Sequence, residues 1–304
     1  MTELVVMDVN VGVRLASAAL QVIAEDAGVD VLHIKGPSVD ICFLESLPAE
    51  VRGSETARRT PRASVDVDLL VRPSHIQRWF TQLAAHGWGM AYTFEDGSAF
   101  EHASTWLRDG LAAADIHRTF PGFGIADEAA FDRLWADRRT IAIAGYPCTV
   151  PSLTAQRLIL LLHATRGGDL SGGDIHRAWM LATPQERAEV DALAAQLGAE
   201  VALAAGTGRL EQHRGAPEYA LWRALANGDH KRTTLWSARI SAQPTVRAKV
   251  GTAIKLARPK PGRLRHRLGR EPTLRELSQA WGREVTTVAG EVARMLVTWA
   301  GRKR

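Results

Sequence analysis

The sequence predicts an α+β protein, in which strands and helices are mixed up to about residue 150 and helices alone follow. Three observations support this prediction. Short strand-like runs, apolar or alternating, occur in the first half of the chain. Asp109-Gly110, between two of these runs, is a strong hairpin signal. Later segments have helical patterns separated by glycines. This order indicates an α/β head at 1–150, a helical domain at 151–244 and a basic C-terminal extension at 245–304.

The first elements follow from apolar spacing and turn residues. Residues 10–27 have helical periodicity, and Gly28 follows as a stop. Residues 31–34 form a short buried strand pattern. Pro37 stands at a favoured first helical position and predicts a helix to Leu47. The Arg-rich residues 48–63 predict an exposed loop.

The next elements predict the sheet and the hairpin of the head. Residues 64–71 alternate and then become fully apolar, as in a strand, and Pro73 opens a helix that ends near His86. Residues 98–107 and 111–117 predict the two strands of the Asp-Gly hairpin. A helix at 127–137 and a strand pair at 140–150 complete the head.

The composition is that of a soluble globular protein, and the chain of 304 residues can form one large domain or two ordinary ones. No run of about 18 apolar residues is present, and the N-terminus lacks a signal-peptide pattern. Cys42 and Cys148 are too few for a disulfide framework. We therefore expect a cytoplasmic protein that does not bind membranes.

The charge is unevenly distributed along the chain. Residues 245–304 contain 15 Lys+Arg and 4 Asp+Glu, a net charge of +11, so the remaining residues, with 23 and 29, carry −6. A basic segment of this kind attracts acidic or phosphate-bearing partners, nucleic acid among them. A solvated helical surface is the plainer alternative.

The most informative motif is a pair of acids on the strand at 64–71. Asp66 and Asp68 share one strand face, whereas Val65, Val67 and Leu69 are expected on the other face, in the core. Two adjacent carboxylates repel each other, and a divalent cation such as Mg²⁺ relieves that repulsion. A solvated edge strand is the alternative, but the apolar run that follows argues against it.

Asp115 and His117 share a face of the second hairpin strand. If that strand pairs with the Asp66–Asp68 strand, three carboxylates converge as two-metal phosphoryl or nucleotidyl transfer requires. Asp115 could then hold a metal and help to deprotonate an acceptor hydroxyl.

Lys35, Gly36, Pro37 and Ser38 lie where a strand leads into an expected helix. Gly36 allows close approach of a ligand, the helix N-terminus offers N–H groups to an anion, and Lys35 adds a positive charge. This turn is a candidate phosphate site; an ordinary structural turn is the alternative.

Together these residues resemble the nucleotidyltransferase superfamily, and more narrowly a family of uncharacterised bacterial nucleotidyltransferases with a Lys-Gly turn in place of Gly-Ser. The similarity covers roughly residues 10–185. The family's Asp-x-Asp-Leu-Leu-Val motif corresponds to residues 66–71, with Asp66 and Asp68 as its acids. Its later Asp-x-His corresponds to Asp115 and His117. In the family an Arg stands four residues before the first Asp, as Arg62 does here. A family helix with a His and a following Asp-Ile pair correspond to His163 and Asp174-Ile175.

The resemblance implies a nucleotidyltransferase-like mixed sheet and transfer of an NMP from an NTP to a hydroxyl-bearing acceptor, with release of pyrophosphate. It implies Mg²⁺, or Mn²⁺, held by Asp66, Asp68 and Asp115, and phosphates held by Lys35, Gly36, Ser38 and Arg62. ATP is the expected donor, and a small molecule, a peptide or protein, or an RNA end the acceptor. His117, His163 and Asp174 are expected to contact the residues that bind the metal and the nucleotide, without binding either themselves.

Two alternatives remain at this stage. One is a catalytically lapsed relative that only binds nucleotide. The other is a nucleic-acid-binding protein that acts through residues 258–304, where a faint helix-turn-helix pattern follows six Lys+Arg within residues 258–270.

Overall fold

A mixed β-sheet is the centre of the head in the computed structural model, which describes residues 8–43, 64–97, 100–243, 245–258, 260–283 and 285–286. Within these residues the sheet has five strands in the order β1-β2-β5-β4-β3. The strands are β1 (Val31–His33), β2 (Asp66–Val71), β3 (Gly89–Tyr92), β4 (Ala103–Leu107) and β5 (Ala113–His117). β2 and β5 are parallel, and the other neighbours are antiparallel.

One face of the sheet packs against two helices, α1 (Val9–Asp26) and α2 (Ile76–Ala85). Asp8 caps α1 by accepting from the backbone N–H groups of the first turn. Val67 and Leu69 of β2 are buried against these helices, as the alternation predicted. The prediction for Val65 was wrong: its side chain is 72% exposed because the strand begins one residue later.

The chain then adds a short helix, a hairpin and a set of larger helices. The short helix α3 (Phe94–Gly97) precedes β4, and α4 (Asp127–Ala136) leads into the hairpin of β6 (Arg139–Ile143) and β7 (Tyr146–Val150). The helices of the second half are α5 (Leu153–Gly167), α6 (Gly173–Ile175), α7 (Pro184–Leu197), α8 (Glu200–Gly206), α9 (Tyr219–Ala226), α10 (Arg232–Ser241), α11 (Val246–Ala257) and α12 (Pro261–Leu268). A single π-helical turn, His176–Met180, follows α6.

α5 is the central helix of the second half. Leu158 to Leu162 are all fully buried, so this helix is apolar on every side rather than on one stripe. Ser152 caps its start, and Gly168 ends it in the left-handed conformation. α5, α7, α8 and α9 share one hydrophobic cluster with Leu32 and Leu70 of the head, so the core continues across residue 150.

The mixed α/β arrangement followed by helices confirms the coarse fold class. Two further local differences from the sequence-based expectations are found. The helix expected from Pro37 is replaced by two single 3-10 turns, Gly36–Ser38 and Ile41–Phe43, and residues 44–47 lie outside the described part. β3 was missed because Gly89–Tyr92 is a short edge strand without alternation. No helix among the described residues is long and apolar enough to cross a membrane.

Candidate active site

A row of polar side chains crosses the sheet on the face opposite α1 and α2. Asp68 of β2 lies directly beside Asp115 of β5, and Asp115 lies beside Thr105 of β4. β2 and β5 are neighbours, which is the condition on which the expected convergence of the three carboxylates depended, and their pairing is parallel. Asp66 is two residues from Asp68 and lies on the same face.

Asp68 is the most deeply buried of these acids, with 3% of its surface exposed. Its Oδ1 is 2.7 Å from Lys35 Nζ and 2.8 Å from His117 Nε2. Burial by itself would raise the pKa of the Asp68 carboxyl, but the Lys35 ammonium and the His117 hydrogen bond outweigh it, so the pKa is well below its usual range. Asp68 is thus a carboxylate held in place by two buried partners.

Asp66 and Asp115 have hydroxyl partners instead of cations. Thr105 Oγ1 donates to Asp115 Oδ1 at 2.7 Å, and Ser64 Oγ is 3.2 Å from Asp66 Oδ1. Burial raises the pKa of Asp66, and the charges of Asp68 and Asp115 raise it further. The negative charges of Asp68 and Asp115 therefore act on Asp66, as expected for carboxylates on one face of the sheet.

The Lys35-Gly36 turn has a different construction from the one expected. Gly36 has φ +66°, and a side chain there would lie 3.0 Å from Ser64 Oγ. Ser38 is buried, and its hydroxyl donates to the Lys35 carbonyl at 2.8 Å. In this structure Ser38 stabilises the turn, and Lys35 is the member of the motif that lines the cleft.

Asp68 and Asp115 open into a cleft of about 700 Å³ between the sheet and the helical half, whereas Asp66 lies outside its lining. Asp68, Asp115, His117 and Thr105 line it from the sheet, and Arg166 lines it from α5. This volume is in the range of about 300–1,000 Å³ that is usual for small-molecule sites. The cleft is therefore large enough for a nucleotide-sized ligand.

Sequence reasoning missed Arg166 and His102. Arg166 Nη1 lies 2.7 Å from His102 Nε2, and the His102 and His117 rings are 5.1 Å apart. Burial lowers the pKa of His102, and its interactions with His117 and the Arg166 guanidinium lower it further, which favours a neutral ring that accepts from Arg166. The available signal was Arg166 one turn after His163, on a helix whose central residues, Leu158 to Leu162, are all apolar.

The remaining predicted residues lie at or beyond the edge of the site. His163 Nδ1 is 3.3 Å from Arg166 Nη2, so His163 contacts a residue that lines the cleft. Asp174 lies in α6 and does not line the cleft. Arg62 lies outside the described residues.

The three carboxylates are of the donor type that Mg²⁺ prefers. Even so, no group of three or more His, Cys, Asp or Glu side chains in the described residues is placed to hold a metal ion. Asp68 Oδ1 is already in contact with Lys35 Nζ and His117 Nε2. The residues fit the ion in chemistry, and Asp68 would have to exchange Lys35 for it.

The comparisons with known proteins add no relative. No protein-family model matches the chain, and no curated protein is similar to it at a significant level.

Proposed function

We propose that this protein is a Mg²⁺-dependent nucleotidyltransferase, which moves an NMP from an NTP to a hydroxyl-bearing acceptor and releases pyrophosphate. One observation carries the proposal: Asp68 and Asp115 lie side by side on neighbouring strands, with Asp66 two residues away on the same face. Asp68 and Asp115 line a cleft of nucleotide size, and neighbouring carboxylates at such a place are what metal-assisted phosphoryl chemistry needs.

The three carboxylates and two cations of the site have proposed roles. Asp66, Asp68 and Asp115 would hold Mg²⁺ or Mn²⁺, which when bound neutralises charge on the phosphate oxygens. Lys35, once released from Asp68, and Arg166 would contact the triphosphate, ATP being the expected donor. The acceptor oxygen forms a bond to the α-phosphorus, the bond from that phosphorus to the pyrophosphate oxygen breaks, and Asp115 accepts the hydroxyl proton.

The test is calorimetric titration of ATP, GTP, CTP and UTP with Mg²⁺. We expect one nucleotide to bind selectively, and we expect Asp66→Asn and Asp115→Asn to weaken that binding at least tenfold, or by about 1.4 kcal/mol. Asp109→Asn is the matched control, since it removes an exposed acid from the turn of the β4–β5 hairpin. Equal binding by wild type and both aspartate variants, Asp66→Asn and Asp115→Asn, would exclude the assignment.

A second candidate is nucleotide binding without transfer. It is favoured by the engagement of Asp68 with Lys35 and His117, which leaves no carboxylate triad placed for a metal among the described residues. The two candidates differ in pyrophosphate release. Binding of Mg²⁺–NTP without pyrophosphate formation across a broad acceptor screen would favour the second candidate.

A further inference from the structure

A second groove, the basic groove, lies beside the cleft. It has a volume of about 490 Å³, and helices α10, α11 and α12 form most of its walls. Six of its lining residues are cations: Arg232, Lys255, Arg258, Lys260, Arg263 and Arg267.

The described lining of this groove contains more cations than acids. Among the described residues that line it, Glu101 is the only acid, and its carboxylate pairs with Lys255 Nζ at 2.6 Å. Burial lowers the pKa of Lys260 and the nearby Arg263 lowers it further, while the charges of Glu101 and Asp96 act in the opposite direction. Such a surface attracts ligands that carry several negative charges.

The basic groove is continuous with the cleft. Arg263, His230 and Leu235 line both spaces. Arg263 Nε donates to the Asp96 carbonyl at 2.8 Å, which ties the start of α12 to α3. A ligand anchored in the groove would therefore place one end beside the carboxylates.

We propose that the basic groove binds the sugar-phosphate chain of a single-stranded RNA, whose 3′ end enters the cleft as the acceptor. The groove volume suits a few nucleotides rather than a duplex. Trp236, with the Arg232 guanidinium 4.9 Å above its ring, supplies planar surfaces on which bases stack. The 3′ end of RNA carries two hydroxyls, and carboxylate oxygens can accept from them.

This inference rests on the proposed function for its reaction but not for its binding. The terminal 3′ oxygen forms the new bond to the α-phosphorus of the NTP, and the bond to the pyrophosphate oxygen breaks. The hydroxyl proton goes to Asp115, and the RNA is longer by one nucleotide.

The test measures fluorescence anisotropy of a labelled 12-nucleotide RNA at 50 and 200 mM salt. About three phosphate contacts, at 0.7 each on a logarithmic scale, predict a roughly 20-fold loss of affinity over this salt range. Arg258→Gln/Arg267→Gln removes the charge of two exposed groove cations. The loss of RNA affinity between 50 and 200 mM salt should therefore fall to about threefold in this variant. Arg14→Gln/Arg108→Gln makes the same charge change away from the groove and should behave as wild type.

The outcomes separate the groove from the reaction. RNA binding that depends on Arg258 and Arg267, and that persists in Asp115→Asn, supports the groove even if no acceptor is extended. The RNA-binding role of the groove is overturned if RNA does not bind, or if the groove double variant and the control double variant bind RNA equally. Tighter binding of a DNA strand or of a polyglutamate peptide than of RNA overturns it as well. Nucleotide transfer to a small acceptor without RNA binding would overturn the groove and leave the proposed function standing.

Discussion

Lys35 and Asp68 form a buried ion pair, with 2.7 Å between Nζ and Oδ1 and side chains that are 10% and 4% exposed. The pair joins the end of β1 to the middle of β2 and stands at the floor of the cleft. Two buried charges stabilise each other only while both are present. The same contact therefore bears on stability and on the proposed chemistry.

Lys35→Met should destabilise the fold strongly, because it removes the ammonium group beside a buried Asp68 carboxylate that also contacts His117. Removal of one member of a buried pair costs roughly 3–5 kcal/mol. Urea unfolding measures the change. Lys35→Met/Asp68→Asn should recover part of the loss, and Lys249→Met, at an exposed position, should cost less than about 0.5 kcal/mol. A loss in Lys35→Met no larger than in the control would contradict the pairing.

Two buried histidines should make stability depend on pH. Burial lowers the pKa of His33 to about 3, and burial with neighbouring positive charges lowers that of His102. Between pH 6.5 and about 3 the unfolded chain binds these protons and the folded chain does not, so the free energy of unfolding falls as the pH falls. Each histidine contributes up to about 1.4 kcal/mol per pH unit.

His33→Gln tests this dependence between pH 4.5 and 6. Gln can still donate to Gln21 Oε1, which lies 3.2 Å from His33 Nε2. The slope of unfolding free energy against pH should decrease by about 1.4 kcal/mol per unit. His86→Gln makes the same exchange at an exposed position and serves as the control. An unchanged slope in His33→Gln would show that His33 takes up its proton in the folded state.

The sequence predicted the strand face on which the carboxylates lie, because strand alternation is a local property. The spacing of Asp66 and Asp68 placed both on one face, and the Asp-Gly turn led to the strand of Asp115. The partners of these acids could not be read in the same way. Arg166 reaches the cleft from a helix about a hundred residues from β2, so only tertiary packing brings it there.

The wrong helix after Lys35 has a local physical reason. Pro37 is favoured at a first helical position, and it also suits the single 3-10 turn that forms. Ser38 donates to the Lys35 carbonyl and closes that turn. A sequence pattern cannot distinguish one turn from several when the residues that follow pack in the core, as Phe43 does.

Gly36→Ala should destabilise the protein more than Gly110→Ala. Both glycines have positive φ, +66° and +77°, so each substitution has the left-handed penalty of roughly 1–2 kcal/mol. A side chain at 36 also meets Ser64 at 3.0 Å, whereas nothing lies within 4 Å at 110. The difference between the two unfolding free energies measures the Ser64 contact. Equal losses would show that Ser64 moves aside freely.

Arg166→Gln should weaken Mg²⁺–NTP binding and raise the pKa of His102. Arg166 donates to His102 Nε2 and so stabilises the neutral ring, and its positive charge lowers the pKa of His102 in the same direction. NMR titration of the His102 ring measures the shift. Arg187→Gln is the control, because Arg187 contacts Trp179 on the far part of the helical half. A ring pKa that stays the same in Arg166→Gln would contradict the contact.

Gly262→Ala and Gly251→Ala should change stability in opposite directions, although both replace a glycine within a helix. Nothing lies within 4 Å of a side chain at 251, so alanine there should stabilise α11 by roughly 0.5–1 kcal/mol. A side chain at 262 would overlap the carboxylate of Asp96, which is buried in the wall of the cleft.

Because Asp96 accepts from Thr93 and its backbone carbonyl accepts from Arg263, it has little room to move, and α12 must shift away from α3. Hydrogen exchange of the α12 amides measures that shift. We expect faster exchange at 261–268 in Gly262→Ala and unchanged exchange there in Gly251→Ala. Since α12 also forms a wall of the basic groove, RNA affinity should fall in the first variant alone. Faster exchange without any loss of RNA affinity would separate the docking of α12 from the binding of RNA.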